Sequence, residues 1–331
     1  MSDTMMRAVR FSQFGPPTQS LRIELLPRPE PAAGEVLLHV LARSINPSDL
    51  LTVSGQYGQL PKLPATPGNE CVGVIEALGP EVTSLHVGQR VVPIRPNQGT
   101  WQEYITVAAN RVLPVPDDVP DAQAATVLVN PPTAWIMLIN VLNIQPGDWI
   151  LQTAAGSAVG TWVIKIARRL GARTISLVRR QDQVALLKSL GADEVICTAD
   201  EDVAERVKAI TAGKGVPYAL DAVGGTAGNQ ALTALGRGGR LLIYGLLSGE
   251  PIPVDGRMIF RETTVQGFWL TSWFRTATPE QMATVFNGIF PMISSHEAES
   301  IIEATYGLDA IQQAVEHAMR PGRNGKIILT N

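Results

Sequence analysis

Cysteine and histidine are scarce in this sequence of 331 residues, which contains two cysteines, Cys71 and Cys197, and four histidines. Two thiols exclude a scaffold that is held together by several disulfides, and they exclude a zinc site with four cysteine ligands. The four histidines are scattered along the chain. We therefore interpret them as ordinary surface or core residues.

Long apolar runs and an excess of charge are also lacking. No run reaches the roughly 20 apolar residues of a membrane-spanning helix. The start, MSDTMM, has neither a signal-peptide core nor an arginine-rich transit segment. The net charge of −3 gives no reason to expect nucleic acid or an anionic membrane as a partner. These absences predict a cytoplasmic protein with no nucleic-acid or membrane partner.

The remaining composition is that of a globular protein, with 45% hydrophobic and 17% charged residues, and the length allows two domains. Up to residue 125, short strand-like stretches alternate with turns rich in glycine and proline, which is typical of a barrel or sandwich. Further on, strands alternate with helices, which indicates a doubly wound parallel sheet. The sequence predicts an α/β protein with a β-rich domain over 1–125 plus 275–331 and a Rossmann-type domain over 126–274.

The stretch from Asp148 to Arg180 predicts a strand, a tight turn of small residues, a helix and a second strand. The positions that align with the dinucleotide pattern G-x-G-x-x-G hold Ala155, Ser157 and Gly160. Small residues allow the backbone to approach a pyrophosphate, whose charge the helix amino terminus then stabilises. A turn of small residues is equally compatible with simple packing.

The end of the second strand bears on the choice of cofactor. An NAD site calls for Asp or Glu about 20 residues after the glycine turn, whereas this sequence has Val178, Arg179 and Arg180 there. A guanidinium suits the additional 2′-phosphate of NADP. The alternative is a solvated loop, and the position of the two arginines favours NADP.

A stretch over 44–70 is long, rich in proline and glycine, and without sustained periodicity. Such a structureless stretch inside a domain is usually functional. It contains Tyr57 between Gly55 and Gly58, which is either a functional residue or a loop tyrosine that packs on a domain edge. Asn46 and Asp49 can hold this loop through side-chain hydrogen bonds.

The whole chain resembles the medium-chain dehydrogenase/reductase superfamily through PGNECVGVIEALGPEVTSLHVGQRVV. The resemblance implies a GroES-like domain with a Rossmann-type nucleotide-binding domain. Zinc-dependent members carry a cysteine and a histidine where this chain has Asn46 and Asn69. Because asparagine is a poor zinc ligand, we expect no bound metal.

A narrower resemblance is to the 2-enoyl thioester reductases, the mitochondrial-type trans-2-enoyl-CoA/ACP reductases. It is carried by INPSDLLTVSGQY, PGNE, QGTWQEY, LVNPPTAW, GSAVG followed by SLVRR, and QGFWLTSW. The simple quinone reductases share the fold, but we do not expect them to share the paired GTW and GFWL stretches.

This resemblance implies that Tyr57 is the proton donor. It also implies a set of residues that bind NADPH. These residues are Asn130, Gly156, Ser157, Ala158, Val159, Arg179, Arg180, Gln181, Tyr244, Gly245, Leu246, Leu247, Phe268, Trp269, Leu270 and Lys326. Gly156 replaces an asparagine that is common in relatives, which removes an amide near the phosphates. Gln181 replaces a second arginine, which weakens the preference for NADP.

The implied reaction is the NADPH-dependent reduction of the C2=C3 double bond of an enoyl-CoA or enoyl-ACP thioester. Hydride adds to Cβ, and Tyr57 gives a proton to Cα. Two alternatives remain at this point: an NADPH:quinone or enone oxidoreductase, and a non-catalytic NADPH-binding protein. The superfamily also implies a homodimer through the nucleotide-binding domains.

Overall fold

The computed structural model describes residues 4–96 and 98–331, so Asn97 and the first three residues of MSDTMM lie outside it. The chain forms two compact units. The first contains Met1–Val129 and Ile289–Asn331, and the second contains Asn130–Gly288. Among the described residues, no helix has the length and apolarity that crossing a bilayer requires.

Strands and helices fall along the chain as follows. The strands are β1 (Met5–Arg10), β2 (Arg22–Pro27), β3 (Glu35–Ser44), β4 (Cys71–Leu78), β5 (Arg90–Pro93), β6 (Tyr104–Ala108), β7 (Val112–Pro114), β8 (Trp149–Gln152), β9 (Arg173–Val178), β10 (Glu194–Cys197), β11 (Val216–Asp221), β12 (Leu235–Ile243), β13 (Thr264–Gly267), β14 (Ile302–Gly307) and β15 (Lys326–Thr330). The α-helices are α1 (Pro17–Ser20), α2 (Pro47–Val53), α3 (Asp121–Ala124), α4 (Asn130–Trp135), α5 (Ala158–Arg169), α6 (Asp182–Ser189), α7 (Val203–Ile210), α8 (Gly225–Thr233), α9 (Leu270–Thr276), α10 (Pro279–Ser294) and α11 (Ile311–Met319). A π-helix covers Ile136–Val141, and 3₁₀ turns cover Ala109–Arg111, Gly256–Arg261 and Leu308–Ala310.

The first unit is rich in β-structure. Its seven-stranded sheet has the order β14-β15-β3-β4-β5-β7, with β6 pairing with β3, and a separate sheet pairs β1 with β2. β14 and β15 are parallel, and β15 is antiparallel to β3 with Ile328 opposite Ser44. This register brings Lys326, at the start of β15, beside the residues that follow β3.

The second unit contains a six-stranded sheet of order β10-β9-β8-β11-β12-β13 in which neighbouring strands are parallel. The order reverses between β8 and β11, and ligands of doubly wound sheets bind outside the carboxyl ends of strands at such a point. The predicted α/β class with a doubly wound parallel sheet is confirmed.

Apolar side chains fill both faces of this sheet. Leu151, Ile175 and Leu241 belong to one buried cluster, and Ile164 and Leu187 belong to another. The strand residues belong to stretches that are mostly apolar in the sequence, and the helix residues lie on the apolar face of each helix. α5 ends at Arg169, and Gly171 adopts a positive φ of 69°, which confirms that glycine ends this helix.

The expectation of a structureless stretch over 44–70 is wrong for Pro47–Val53, which forms α2. The helix begins with a capping box, in which the Asn46 backbone N–H donates to Asp49 Oδ2 at 2.8 Å. Proline at the first helical position favours the start. Seven residues are too few for a helical period to be recognised in the sequence.

Candidate active site

The turn between β8 and α5 lies at the switch point of the parallel sheet. Ser157 caps α5, since its Oγ accepts a hydrogen bond from the Gly160 backbone N–H at 3.1 Å. A Cβ at Gly160 would lie 2.4 Å from the Ala155 carbonyl oxygen, so the third pattern position admits only glycine. The other N–H groups of the first turn, at Ala158 and Val159, are the natural donors to a phosphate.

A buried carboxylate, which the sequence analysis did not identify, shapes the same edge of the sheet. Asp221 at the end of β11 is fully buried, and its Oδ1 accepts from Thr153 Oγ1 at 2.6 Å. Its two oxygens also accept from the backbone N–H groups of Val223 at 3.0 Å and Gly224 at 2.9 Å. The available signal was an aspartate that ends an apolar strand and is separated by two residues from the glycine pair Gly224 and Gly225.

Tyr244 and Gly245 follow β12 and lie beside this turn. The Tyr244 backbone N–H donates to the Asp221 carbonyl oxygen at 2.8 Å. Burial raises the pKa of the Tyr244 hydroxyl, which lies near Ser157 but makes no hydrogen bond of ordinary geometry among the described residues. A Cβ at Gly245 would lie 2.7 Å from the Ala222 carbonyl oxygen. Leu246 and Leu247 are exposed.

The segment after β13 lies next to the segment after β12, because Ile243 pairs with Gly267. The Phe268 backbone N–H donates to the Ile243 carbonyl oxygen at 2.8 Å. Trp269 precedes α9, which begins at Leu270, and the guanidinium of Arg275 lies 5.4 Å from the centre of its ring. The predicted residues 244–247 and 268–270 thus share one edge of the sheet.

Arg179, Arg180 and Gln181 follow the carboxyl end of β9, where a cofactor-selecting group is expected. Arg179 and Gln181 are exposed. Arg180 Nε lies 2.9 Å from Asp182 Oδ1, so this guanidinium already has a carboxylate partner. Asn130 is buried at the first position of α4 in the same unit. The roles of these residues in cofactor binding stay predictions.

Tyr57 lies in the first unit, four residues after the end of α2. Gly55 has a positive φ of 77°, which glycine adopts without strain, and the Gln56 backbone N–H donates to the Leu51 carbonyl oxygen at 2.8 Å. Tyr57 is half-buried. The helix and its closing turn therefore position the tyrosine, whose catalytic role stays a prediction.

A buried polar network holds the start of α2, as expected for Asn46 and Asp49. Asn46 Nδ2 donates to Glu70 Oε1 at 2.7 Å and to Ser44 Oγ at 3.0 Å. Asp49 Oδ1 accepts from Asn69 Nδ2 at 2.5 Å. Each of the side chains of Ser44, Asn46, Asp49 and Glu70 is buried, so the network can exist only because its polar groups satisfy one another.

Lys326 supplies the cation of this network. Its Nζ donates to Asn46 Oδ1 at 2.6 Å and to the Ile45 carbonyl oxygen at 3.1 Å, and it lies 3.9 Å from Glu70 Oε1. The residue is 3% exposed. Lys326 thus has an internal structural role that the sequence analysis did not predict, and its contact with NADPH stays a prediction.

Glu70 connects the network to Leu128 and Val129, which end the amino-terminal segment of the first unit. Its Oε2 accepts from the backbone N–H groups of Leu128 at 3.0 Å and Val129 at 2.9 Å. Burial raises the pKa of Asp49 to about 7 and lowers the pKa of Lys326 to about 8, because desolvation disfavours both charged forms. The network therefore contains two carboxyl groups that depend on one buried ammonium group.

Replacing Lys326 with methionine removes that cation. We expect the free energy of unfolding to fall by about 3–5 kcal/mol near pH 7.5, as for a buried ion pair that loses one partner. Unpaired buried carboxyls have raised pKa values, and stability from such groups is present at low pH and lost as the pH rises. The loss should therefore be smaller near pH 5. Urea denaturation at the two pH values measures both effects.

Lys62→Met is the matched control, because Lys62 is an exposed lysine of the same unit. Its effect should stay within about 0.5 kcal/mol. If Lys326→Met were as stable as this control, the network would not depend on the ammonium group.

Two protein-family models match the chain. The alcohol dehydrogenase GroES-like domain matches residues 32–117, and the zinc-binding dehydrogenase model matches residues 158–287. The first match lies in the β-rich unit and the second in the unit with the parallel sheet. The expected combination of a GroES-like domain with a Rossmann-type domain is thereby confirmed.

Known proteins that resemble the chain include reductases of two kinds. The human mitochondrial enoyl-[acyl-carrier-protein] reductase is 34% identical over 333 residues, covering 98% of this chain and 88% of the human protein. A Bacillus thuringiensis protein assigned as an NADPH:quinone reductase superposes with a TM-score of 0.94 at 32% identity, covering 99% of each chain. Etr1p in complex with NADP and crotonyl-CoA superposes with a TM-score of 0.88 at 26% identity, covering 99% of this chain and 100% of Etr1p.

Proposed function

Because the chain belongs to the medium-chain dehydrogenase/reductase superfamily, in the branch of the mitochondrial-type enoyl thioester reductases, we propose that it reduces the C2=C3 double bond of 2-enoyl thioesters with NADPH. The observation that carries the proposal is Tyr57, which is positioned by α2 and its buried network in a chain that also has a dinucleotide-type turn. The substrate is an enoyl-CoA or enoyl-ACP.

The second unit fits a nicotinamide dinucleotide. The N–H groups at Ala158 and Val159 would bind its pyrophosphate beside Gly156 and Ser157. Arg179 and Arg180, with Gln181, would bind the 2′-phosphate. The remaining residues of this unit proposed to contact it are Asn130, Tyr244, Gly245, Leu246, Leu247, Phe268, Trp269 and Leu270. Lys326, which belongs to the first unit, is proposed as a further contact. The buried hydroxyl of Tyr244 and the close approaches at Gly160 and Gly245 support the fit.

When bound, the reduced nicotinamide supplies a hydride, which the electrophilic Cβ of the unsaturated thioester accepts. An enolate then develops on the thioester oxygen, and Tyr57 gives a proton to Cα. A phenolic hydroxyl is protonated at neutral pH and can donate. General acid catalysis of this kind contributes roughly 10²–10⁴-fold to a rate.

Replacing Tyr57 with phenylalanine should lower kcat by about 10²-fold or more, because the proton donor is lost. The dissociation constant of NADPH should stay within about twofold of wild type, since the phenol is not proposed to bind the cofactor. Tyr104→Phe is the control, because Tyr104 stacks on His39 with ring centres 5.0 Å apart in the same unit. A Tyr57→Phe enzyme with nearly full kcat, when the chemical step limits turnover, would refute the donor role.

The second candidate is an NADPH:quinone or enone oxidoreductase, which the similarity to the Bacillus thuringiensis protein favours. Steady-state NADPH oxidation with crotonyl-CoA, a longer 2-enoyl-CoA and a naphthoquinone distinguishes the candidates, with NADH as the comparison donor. We expect strong turnover of the enoyl-CoAs with NADPH. Turnover of the quinone alone would favour the second candidate, and no turnover despite NADPH binding would favour a non-catalytic NADPH-binding protein.

The cofactor preference can be tested at the two ends of β9. Arg179→Gln removes an exposed guanidinium at the carboxyl end and should weaken NADPH binding by about tenfold, because it loses a charge-assisted hydrogen bond. NADH binding should not change, since NADH has no 2′-phosphate. Fluorescence titration measures both affinities. The control is Arg173→Gln at the amino end, and equal weakening of NADPH and NADH by Arg179→Gln would contradict the assignment.

We also infer that the reaction proceeds without zinc, although one matching family model describes zinc-binding dehydrogenases. Asn46 and Asn69 offer amide groups where the zinc-dependent members have a thiolate and an imidazole. Asn46 Oδ1 accepts a hydrogen bond from the Lys326 ammonium at 2.6 Å, and Asn69 Nδ2 donates to Asp49. These residues do not fit a zinc ion. Metal analysis of the purified active enzyme tests this, and one zinc per chain would contradict it.

The homodimer is proposed at the edge of the parallel sheet. β13 is the last strand of that sheet, and Val265 within it is 43% exposed. The neighbouring turn exposes Ile259 and Phe260 by 73% and 75%. A bare strand edge beside apolar side chains favours association. Light scattering should give twice the chain mass for wild type and a lower mass for Phe260→Asp. A wild-type monomer at micromolar concentration would refute this dimer.

A further inference from the structure

The side chain of Gln183 lies against the phosphate-type turn at Gly156. A Cβ at Gly156 would lie 2.5 Å from Gln183 Nε2 and 3.1 Å from Gln183 Cδ. The amide group thus fills the space into which any side chain at position 156 would project. Glycine at this position is what leaves room for the amide.

Gln183 also lies close to the end of β9. It belongs to the first turn of α6, and its backbone N–H donates to the Arg180 carbonyl oxygen at 3.2 Å. It is half-buried. The residue therefore connects the segment that begins α5 with the segment proposed to hold the 2′-phosphate.

The start of α5 supplies backbone donors to a phosphate, and the Gln183 amide can add side-chain donors to them. The first turn, Ala158–Thr161, contains no charged side chain, so its backbone N–H groups and the helix dipole provide the attraction for a phosphate. A glutamine side chain provides two further N–H donors. Its Nε2 lies on the turn itself, whereas the arginines lie beyond the end of β9. The geometry thus favours the pyrophosphate over the 2′-phosphate.

We propose that Gln183 is a further cofactor-binding residue, whose side-chain amide donates to the pyrophosphate of the bound dinucleotide across the bare face of Gly156. The inference rests on the proposed function in that it requires a nicotinamide dinucleotide at this turn. It assigns Gly156 a second purpose, which is to admit a donor that comes from α6 rather than from the turn.

A substitution at Gly156 tests the same contact from the other side. The group that a new Cβ would displace is the tip of a flexible side chain, not backbone. Gly156→Ala should therefore leave the melting temperature nearly unchanged and move the amide away from the turn. Because both substitutions remove the same contact between the Gln183 amide and the pyrophosphate, the double variant should bind NADPH no more weakly than the weaker-binding single variant.

The experiment is fluorescence titration of NADPH and of NADH into wild type, Gln183→Ala, Gly156→Ala and the double variant. We expect Gln183→Ala to weaken both cofactors by about the same factor, roughly tenfold, since both carry the pyrophosphate. Gln230→Ala, a half-buried glutamine of α8 in the same unit, is the matched control and should bind both cofactors as wild type does.

Three results would overturn the assignment while wild type still binds NADPH. They are unchanged affinity of Gln183→Ala, tighter binding by Gln183→Ala, and a loss confined to NADPH, which would place the amide on the 2′-phosphate. A wild-type chain that binds neither cofactor would overturn the proposed function itself, and the inference with it. Melting curves of each variant separate lost contacts from lost folding.

Discussion

One buried carboxylate, Glu70, is the point on which the organisation of the first unit depends. Its oxygens accept hydrogen bonds from Ser44, from Asn46 and from the backbone of Leu128 and Val129. A buried charge is tolerated only when it is paired and hydrogen-bonded, and Lys326 provides the opposite charge. A single group therefore holds together the end of β3, the start of α2, the start of β15 and the last residues before the second unit.

The second unit depends on a geometric constraint instead. Parallel strands whose order reverses between β8 and β11 leave a gap beyond their carboxyl ends. The turn that follows β8 is held at this edge of the sheet, because the Ala155 backbone N–H donates to the Leu177 carbonyl oxygen of β9 at 3.2 Å. Asp221, at the end of β11, accepts hydrogen bonds from Thr153, which follows β8, and from two backbone N–H groups of the turn after β11. The small residues of the turn are required because backbone atoms approach them closely, as at Gly160. The geometry of this turn is thus determined by the sheet and by the size of the residues in the turn.

The sequence predicted what depends on neighbours along the chain and missed what depends on distant ones. The strand, turn and helix around Ala155 follow from local periodicity and residue size. Lys326 and Asn46 are 280 residues apart, and no local pattern indicates that the lysine at the start of β15 is buried beside Asn46. The contact of Gln183 with Gly156 depends on how α6 packs after β9, which composition and spacing do not determine.

The most direct measurement follows the hydrogen atoms. Crotonyl-CoA is reduced with NADPH that carries deuterium in the transferable C4 position of the nicotinamide, and NMR of the product locates the label. We expect deuterium at Cβ and none at Cα, and the reverse pattern when unlabelled NADPH is used in heavy water. A product without label at Cβ, or no reduction of the double bond under conditions where a quinone is reduced, would contradict the proposed function.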